Sequence, residues 1–173
     1  MDETLSGRLL VASPLLNDPN FHRTVVLVLQ HGDDGAVGVV LNRPSSSPIR
    51  TVLPDWTEAA TDPAVVFVGG PVEPEIGIAL TTVGGEETAL PGVWLADLSS
   101  YPTPSPARIF SGYAGWDAGQ LESELGEGSW MVVEADPDDI FGSEPEGLWA
   151  DVLRRQPGRL RMLASYPPDP SYN

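Results

Sequence analysis

The stretch at residues 108–125, R-I-F-S-G-Y-A-G-W-D-A-G-Q-L-E-S-E-L, decides how the chain is read, because it joins a strand-like run to a helix-like one through glycines and aromatics. Ile109 and Phe110 continue a β-prone run, and Gly112, Gly115 and Gly119 loosen the backbone around Tyr113 and Trp116. Asp117 and Gln120 stand at capping-box spacing, so the helix is expected to begin at Asp117. Leu121 and Leu125, four apart, form its apolar stripe, and Gly126 and Gly128 end it.

Upstream, residues 7–12 read as a first strand stopped by Ser13-Pro14, and residues 24–30 as a strand apolar enough to be covered on both faces. A glycine- and aspartate-rich connection over 31–35 leads to a partner strand at 36–41, which describes a hairpin; Gly38 within it marks a bulge or a close backbone neighbour. S-S-S-P at 45–48 reads as a polar loop, and Ile49, Val52, Leu53 and Trp56 as a short helix that Pro54 breaks. Residues 64–68, 76–82, 93–98 and 130–134 are further strands, with Pro102, Pro104 and Pro106 forming a stiff lead into the central stretch. Ser143 and Glu146 form a second capping box for a helix that runs to about Gln156. Strands outnumber helices without βαβ alternation, so the expectation is one α+β domain over 1–173 with a mainly antiparallel, strongly bent sheet and a frayed tail at 166–173.

Composition removes whole chemistries. Cysteine is absent, which excludes thiol nucleophiles, thiolate zinc sites and iron–sulfur ligation. Lysine is absent too, all nine cations being arginine, so Schiff-base and phosphate-loop lysines are impossible. The net charge of −16 opposes phosphate backbones and anionic membranes, which makes direct nucleic-acid binding the third-ranked reading. The start M-D-E-T-L-S-G lacks a basic leader and no apolar run nears the ~20 residues of a membrane span, so a cytoplasmic protein is expected.

Five motifs occur in order: A-S-P at 12–14, D-P-x-F-x-R-T-V-V at 18–26, H-x-x-x-G-A-x-G-x-V-L-N-R-P at 31–44, G-G-P at 69–71 and G-Y-A-G-W-x-x-G-Q-L-E at 112–122. Together they resemble the AlgH/YqgE family of uncharacterised bacterial proteins. The resemblance implies an α+β fold whose sheet bifurcates into a pseudo-barrel flanked by helices, and no established activity; relatives are often labelled transcriptional regulators. Many relatives read Cys-Glu-His where this chain has Leu29-Gln30-His31, so no redox role tied to that cysteine applies. The Q-P-G-R-L-R segment at 156–161 also departs from the family pattern.

His22 and His31, with Asp18, Asp33 and Asp34 nearby, lack metal-ligand spacing, and His31 is better read as capping the hairpin; no metal or cofactor is expected. Ser111 is not in a G-x-S-x-G elbow, and Glu73 with Glu75 reads as solvated surface. The remaining candidate is a ligand-binding set of Arg23, His31, Asn42, Arg43, Gly69, Gly70, Tyr113, Trp116 and Gln120, in which two guanidinium forks and an aromatic wall would suit a small anion. The plainer reading gives the glycines to turns, Trp116 to the core and both arginines to local aspartates. A non-enzymatic binding or regulatory module with a protein or small-anion partner is the leading expectation; an enzyme using Arg23, His31, Asn42 and Arg43 is the alternative.

Overall fold

Every second residue of the first strand faces the same way, and both sets are apolar, which forces the sheet into the middle of the molecule. The computed structural model describes residues 4–16, 18–100, 102 and 106–166. In strand β1 (Leu9–Ala12), Leu9 and Val11 face one core, while Leu10 and Ala12 face another. The first core adds Val25, Leu27, Phe67 and Phe110 and is closed by Leu148, Trp149, Val152 and Leu153; the second adds Val26, Val28, Trp116, Leu121 and Trp130. Burial on both faces is why these segments read as unbroken apolar runs.

The remaining strands are β2 (Val25–Gly32), β3 (Gly35–Val40), β4 (Pro44–Pro48), β5 (Val65–Val68), β6 (Val72–Thr81), β7 (Glu86–Glu87), β8 (Trp94–Ala96), β9 (Ala107–Asp117) and β10 (Trp130–Val133). They form one strongly curled half-barrel sheet in the order β10-β1-β2-β3-β9-β6-β8-β7, antiparallel throughout that path. The sheet divides at β9, the stretch quoted first. Its residues 114–117 pair with β3, whereas Phe110 and Ser111 pair in parallel with β5, which in turn carries β4. Among the described residues five short helices flank it: α1 (Ile49–Val52), α2 (Gln120–Gly126), α3 (Asp138–Phe141), α4 (Leu148–Arg154) and α5 (Arg159–Leu163).

Four expectations need correction. The hairpin connection is two residues, Asp33 and Asp34, because the strands extend to Gly32 and Gly35. Residues 44–48 form a strand, held to β5 at Pro44 and Pro48 only. Helix α2 begins at Gln120 rather than Asp117, since the ladder opposite Gly35 keeps Asp117 extended; half of the box survives, with Gln120 Oε1 accepting from the Asp117 N–H at 2.9 Å. The Ser143–Glu146 box makes no capping bond: a 3₁₀ turn over Pro145–Gly147 leads into α4, which ends at Arg154. Gly38 does face a bulge, the register slipping between Val28 and Gln30 opposite it. Pro104 and residues 167–173 of the expected tail lie outside the described residues.

Candidate functional site

Strand β2 separates the expected site residues into two groups. Arg23 precedes it and His31 lies near its far end, roughly 25 Å away at about 3.3 Å per residue.

At the first end the chain ties its own loop down. Asn42 Oδ1 accepts from the Val25 N–H at 3.0 Å, and Asn42 Nδ2 donates to the Arg23 carbonyl at 2.9 Å. These bonds hold Arg23 at a left-handed φ of 55°. The Arg23 guanidinium lies 4.0 Å from the Trp149 ring centroid and donates to the Tyr166 carbonyl at 2.9 Å. Arg43 donates to the carbonyls of Asn20 and His22 at 2.7 and 3.1 Å. Burial lowers the pKa of both guanidiniums below the ordinary value, an effect Asp18 opposes at Arg43. Gly69 and Gly70 lie alongside, the Gly69 carbonyl accepting from Val40 at 2.8 Å, and they press on Gly112 and Tyr113 with no room for a Cβ.

His31, Trp116 and Gln120 belong to the other end. Leu5 donates its N–H to His31 Nδ1 at 3.0 Å, which leaves Nε2 as the ring donor to Glu122 at 2.6 Å. Both ring nitrogens are therefore engaged in holding the N-terminal segment and α2 to the hairpin. Trp116 is buried against Phe21 and Trp130, and both indoles donate to Glu124 Oε1, at 3.0 and 2.9 Å, while Gln120 donates to Oε2 at 2.9 Å. No metal-binding cluster occurs among the described residues.

A recess of about 450 Å³ opens at this end beside Leu5, His31, Asp33 and Glu122, and a second lies on the branch of the sheet made by β4, β5, β9 and β6. A cleft of about 490 Å³ is floored by Val66 and Val68 of β5 and by Ile109 and Ser111 of β9. Ser45 and Ser47 of β4 form one wall, Pro74, Glu75 and Ile76 of β6 the other, and Val52, Leu53 and Leu98 close the end. Its volume falls in the ~300–1,000 Å³ range of ligand clefts. Val52, Val68 and Ile76 remain 51%, 43% and 42% exposed although they are large and apolar. Ser111 Oγ donates to the Pro74 carbonyl, which fixes the second wall to the floor. Sequence reasoning did not find this site, because its residues come from five elements and form no motif; the readable trace was V-E-P-E-I, an apolar strand interrupted by proline and two acids.

Arg108 was also unmarked by its spacing. Its side chain is buried, donates to the carbonyls of Asp62, Ile140 and Gly142 at 2.7, 2.8 and 2.9 Å, and lies 4.3 Å from the Phe67 ring centroid. Burial pushes its pKa down to about 10, partly offset by Asp62.

A branched, half-barrel α+β sheet with an apolar cleft on the branch and no long apolar helix among its described residues defines the class of protein. The chain belongs to the AlgH-like family, whose model matches residues 9–161. A UPF0301 protein of Streptomyces coelicolor is 49% identical over 98% of this chain and 96% of its own length, and one of Thermobifida fusca is 43% identical over the same shares. Among solved structures, protein DIP2367 of Corynebacterium diphtheriae superposes with a TM-score of 0.86 at 29% identity, covering 95% of this chain and 94% of its own. The AlgH protein of Pseudomonas aeruginosa superposes with a TM-score of 0.68 at 31% identity, covering 95% and 97%. The family motifs thus mark the positions that build the branch: G-G-P crosses G-Y-A-G where the sheet divides.

Proposed function

We propose that this chain is a non-enzymatic binding module that docks a partner protein in the cleft between β4 and β6. The observation that carries this is the concentration of exposed apolar side chains: of six large hydrophobics exposed among the described residues, three line this one recess. The arginines do not compete for the role, because the described hydrogen bonds of Arg23 and Arg43 run to the chain's own carbonyls. Nor does a reaction centre, since His31 uses both nitrogens structurally and stands apart from Arg23, Asn42 and Arg43. A regulator acting through protein contact fits the acidic charge better than one gripping DNA. Fluorescence of the neutral apolar dye Nile red tests the cleft: emission should rise with the wild-type protein and not with Val68→Asp. Equal emission from both proteins removes this reading.

A further inference from the structure

The cleft's walls are two strands whose middle residues have left their ladders. On one side β4 meets β5 only at Pro44 opposite Phe67 and Pro48 opposite Val65, so Ser45, Ser46 and Ser47 lie off the pairing. On the other, β6 meets β9 at Val72 opposite Tyr113 and next at Gly77 opposite Ser111, so four residues of β6 face one of β9. Glu73, where this departure starts, has a left-handed φ of 47°. On its other edge β6 is paired with β8 only from Ala79 onward. Extended backbone that has left its ladder therefore borders an apolar floor, with the Ser47 N–H turned to Ser45 Oγ and the Pro74 carbonyl to Ser111 Oγ.

The floor itself is built at strand spacing. Val66 and Val68 are two apart on β5, and Ile109 and Ser111 two apart on β9, each pair about 6.6–7 Å along its strand. Alternate side chains of an extended peptide have the same repeat, so a peptide laid across this face can set its side chains against both rows.

Charge selects among such peptides. Among the described residues Glu75 is the one charged side chain lining the cleft, none of the arginines lines it, and Glu73 beside it is exposed. In a chain of net charge −16 this favours a segment carrying lysine or arginine and disfavours nucleic acid, anionic lipid and a second copy of the chain. Pro44, Pro48 and Pro74 also remove N–H donors from the walls, which discourages pairing between identical edges.

We infer that the partner enters as an extended segment between β4 and β6, its apolar side chains over Val66, Val68 and Ile109 and a basic side chain against Glu75. This rests on the cleft being the binding site. The probe is a short fluorescein-labelled peptide alternating valine and lysine, compared by anisotropy with one alternating valine and glutamate. The lysine peptide should bind the wild-type protein at least about tenfold more tightly, a preference that shrinks as salt rises. Glu75→Lys should reverse the preference, and Val68→Asp should abolish both interactions. Glu75 is exposed, so its replacement leaves the fold intact and decides the matter even if Val68→Asp misfolds. Equal binding of the two peptides, or a preference untouched by Glu75→Lys, overturns the inference. A silent lysine peptide with Nile red still lighting up the wild type but not Val68→Asp overturns the basic segment and leaves the cleft as a binding site; silence of both removes both.

Discussion

Gly112 lies against Gly70 so closely that a Cβ on Gly112 would stand 2.6 Å from the Gly70 carbonyl oxygen and 2.9 Å from that of Val72. Gly112 also has a φ of 73°, a conformation that costs a side-chain-bearing residue about 1–2 kcal/mol. Gly128 shares that penalty at φ 79°, but a Cβ there meets nothing within 4 Å. Gly128→Ala should therefore lose about 1–2 kcal/mol in urea unfolding. Gly112→Ala should lose more than about 3 kcal/mol, because two backbone carbonyls of the branch must also move. Equal losses at the two positions would mean that the crossing is not tight.

Glu124 accepts from the indoles of Trp116 and Trp130, and both tryptophans are buried. Glu124→Ala orphans two N–H groups, each costing about 1–3 kcal/mol when left without a partner. A combined loss of about 2–6 kcal/mol is expected, with a red shift of tryptophan emission as water reaches the indoles. Glu124→Gln, which keeps an acceptor, should recover most of the stability; an unshifted spectrum in Glu124→Ala would refute the role assigned to this carboxylate.

The strands were legible because burial on both faces leaves its mark directly in the sequence, as in β1, β2 and β3, where Leu9, Val25 and Val39 face one core and Leu10, Val26 and Val40 the other. The bulge opposite Gly38 was legible for a similar reason: a missing Cβ reports a close neighbour, here the Leu27 carbonyl at 2.7 Å from the ideal Cβ position. Strand β4 was not, since it is serine-rich and owes its extended form to two contacts with β5 rather than to its own residues. From sequence the arginines read as donors to an anion, and their described hydrogen bonds run to the chain's own carbonyls. A guanidinium fork suits an anion, but the carbonyls of Asn20, His22 and Tyr166 suit it as well, and where those carbonyls point is set by the tertiary fold. The cleft draws its lining from α1, β4, β5, β6 and β9, so no local spacing announces it.

Asp97 receives the N–H and hydroxyl of Ser99 at 2.9 and 2.6 Å, and these bonds, helped by the Ser100 hydroxyl, hold its pKa below the ordinary 3.8. A depressed carboxylate pKa means that the unfolded chain takes up the proton first as pH falls. Its stabilising contribution is thus complete above the unfolded value of 3.8 and disappears as pH drops through the lower folded value. Ser99→Ala should raise the Asp97 pKa toward 3.8 in a carboxyl-carbon NMR titration and leave stability at neutral pH nearly unchanged, since the group is exposed. An unmoved titration curve would show that Ser99 is not the cause.

Arg155 bears on both stability and nucleic-acid binding. Its guanidinium grips Asp139 with bonds of 2.6 and 2.7 Å and donates to the Glu134 carbonyl at 3.1 Å, and these hydrogen bonds to Asp139 raise its pKa further above the usual range. The Asp139 side chain is only 4% exposed and also accepts from the Asp136 N–H at 2.8 Å, so it joins α4 to the turn before α3. Arg155→Gln strands that carboxylate, and a loss of about 2–3 kcal/mol in urea unfolding is expected, below the ~3–5 kcal/mol of a fully buried pair because Arg155 is itself 40% exposed. Asp139→Asn should cost less, as it removes the buried charge while keeping the shape. In the C-terminal cluster of Arg154, Arg155, Arg159 and Arg161, Arg154 is also matched, to Asp151 at 2.9 Å, whereas Arg159 and Arg161 make no ion pair among the described residues, on a chain of net charge −16. A low-salt gel shift with duplex DNA should therefore give no retarded band. A band that weakens steeply with salt and vanishes in an Arg159→Ala, Arg161→Ala double variant would instead make these two residues a phosphate contact.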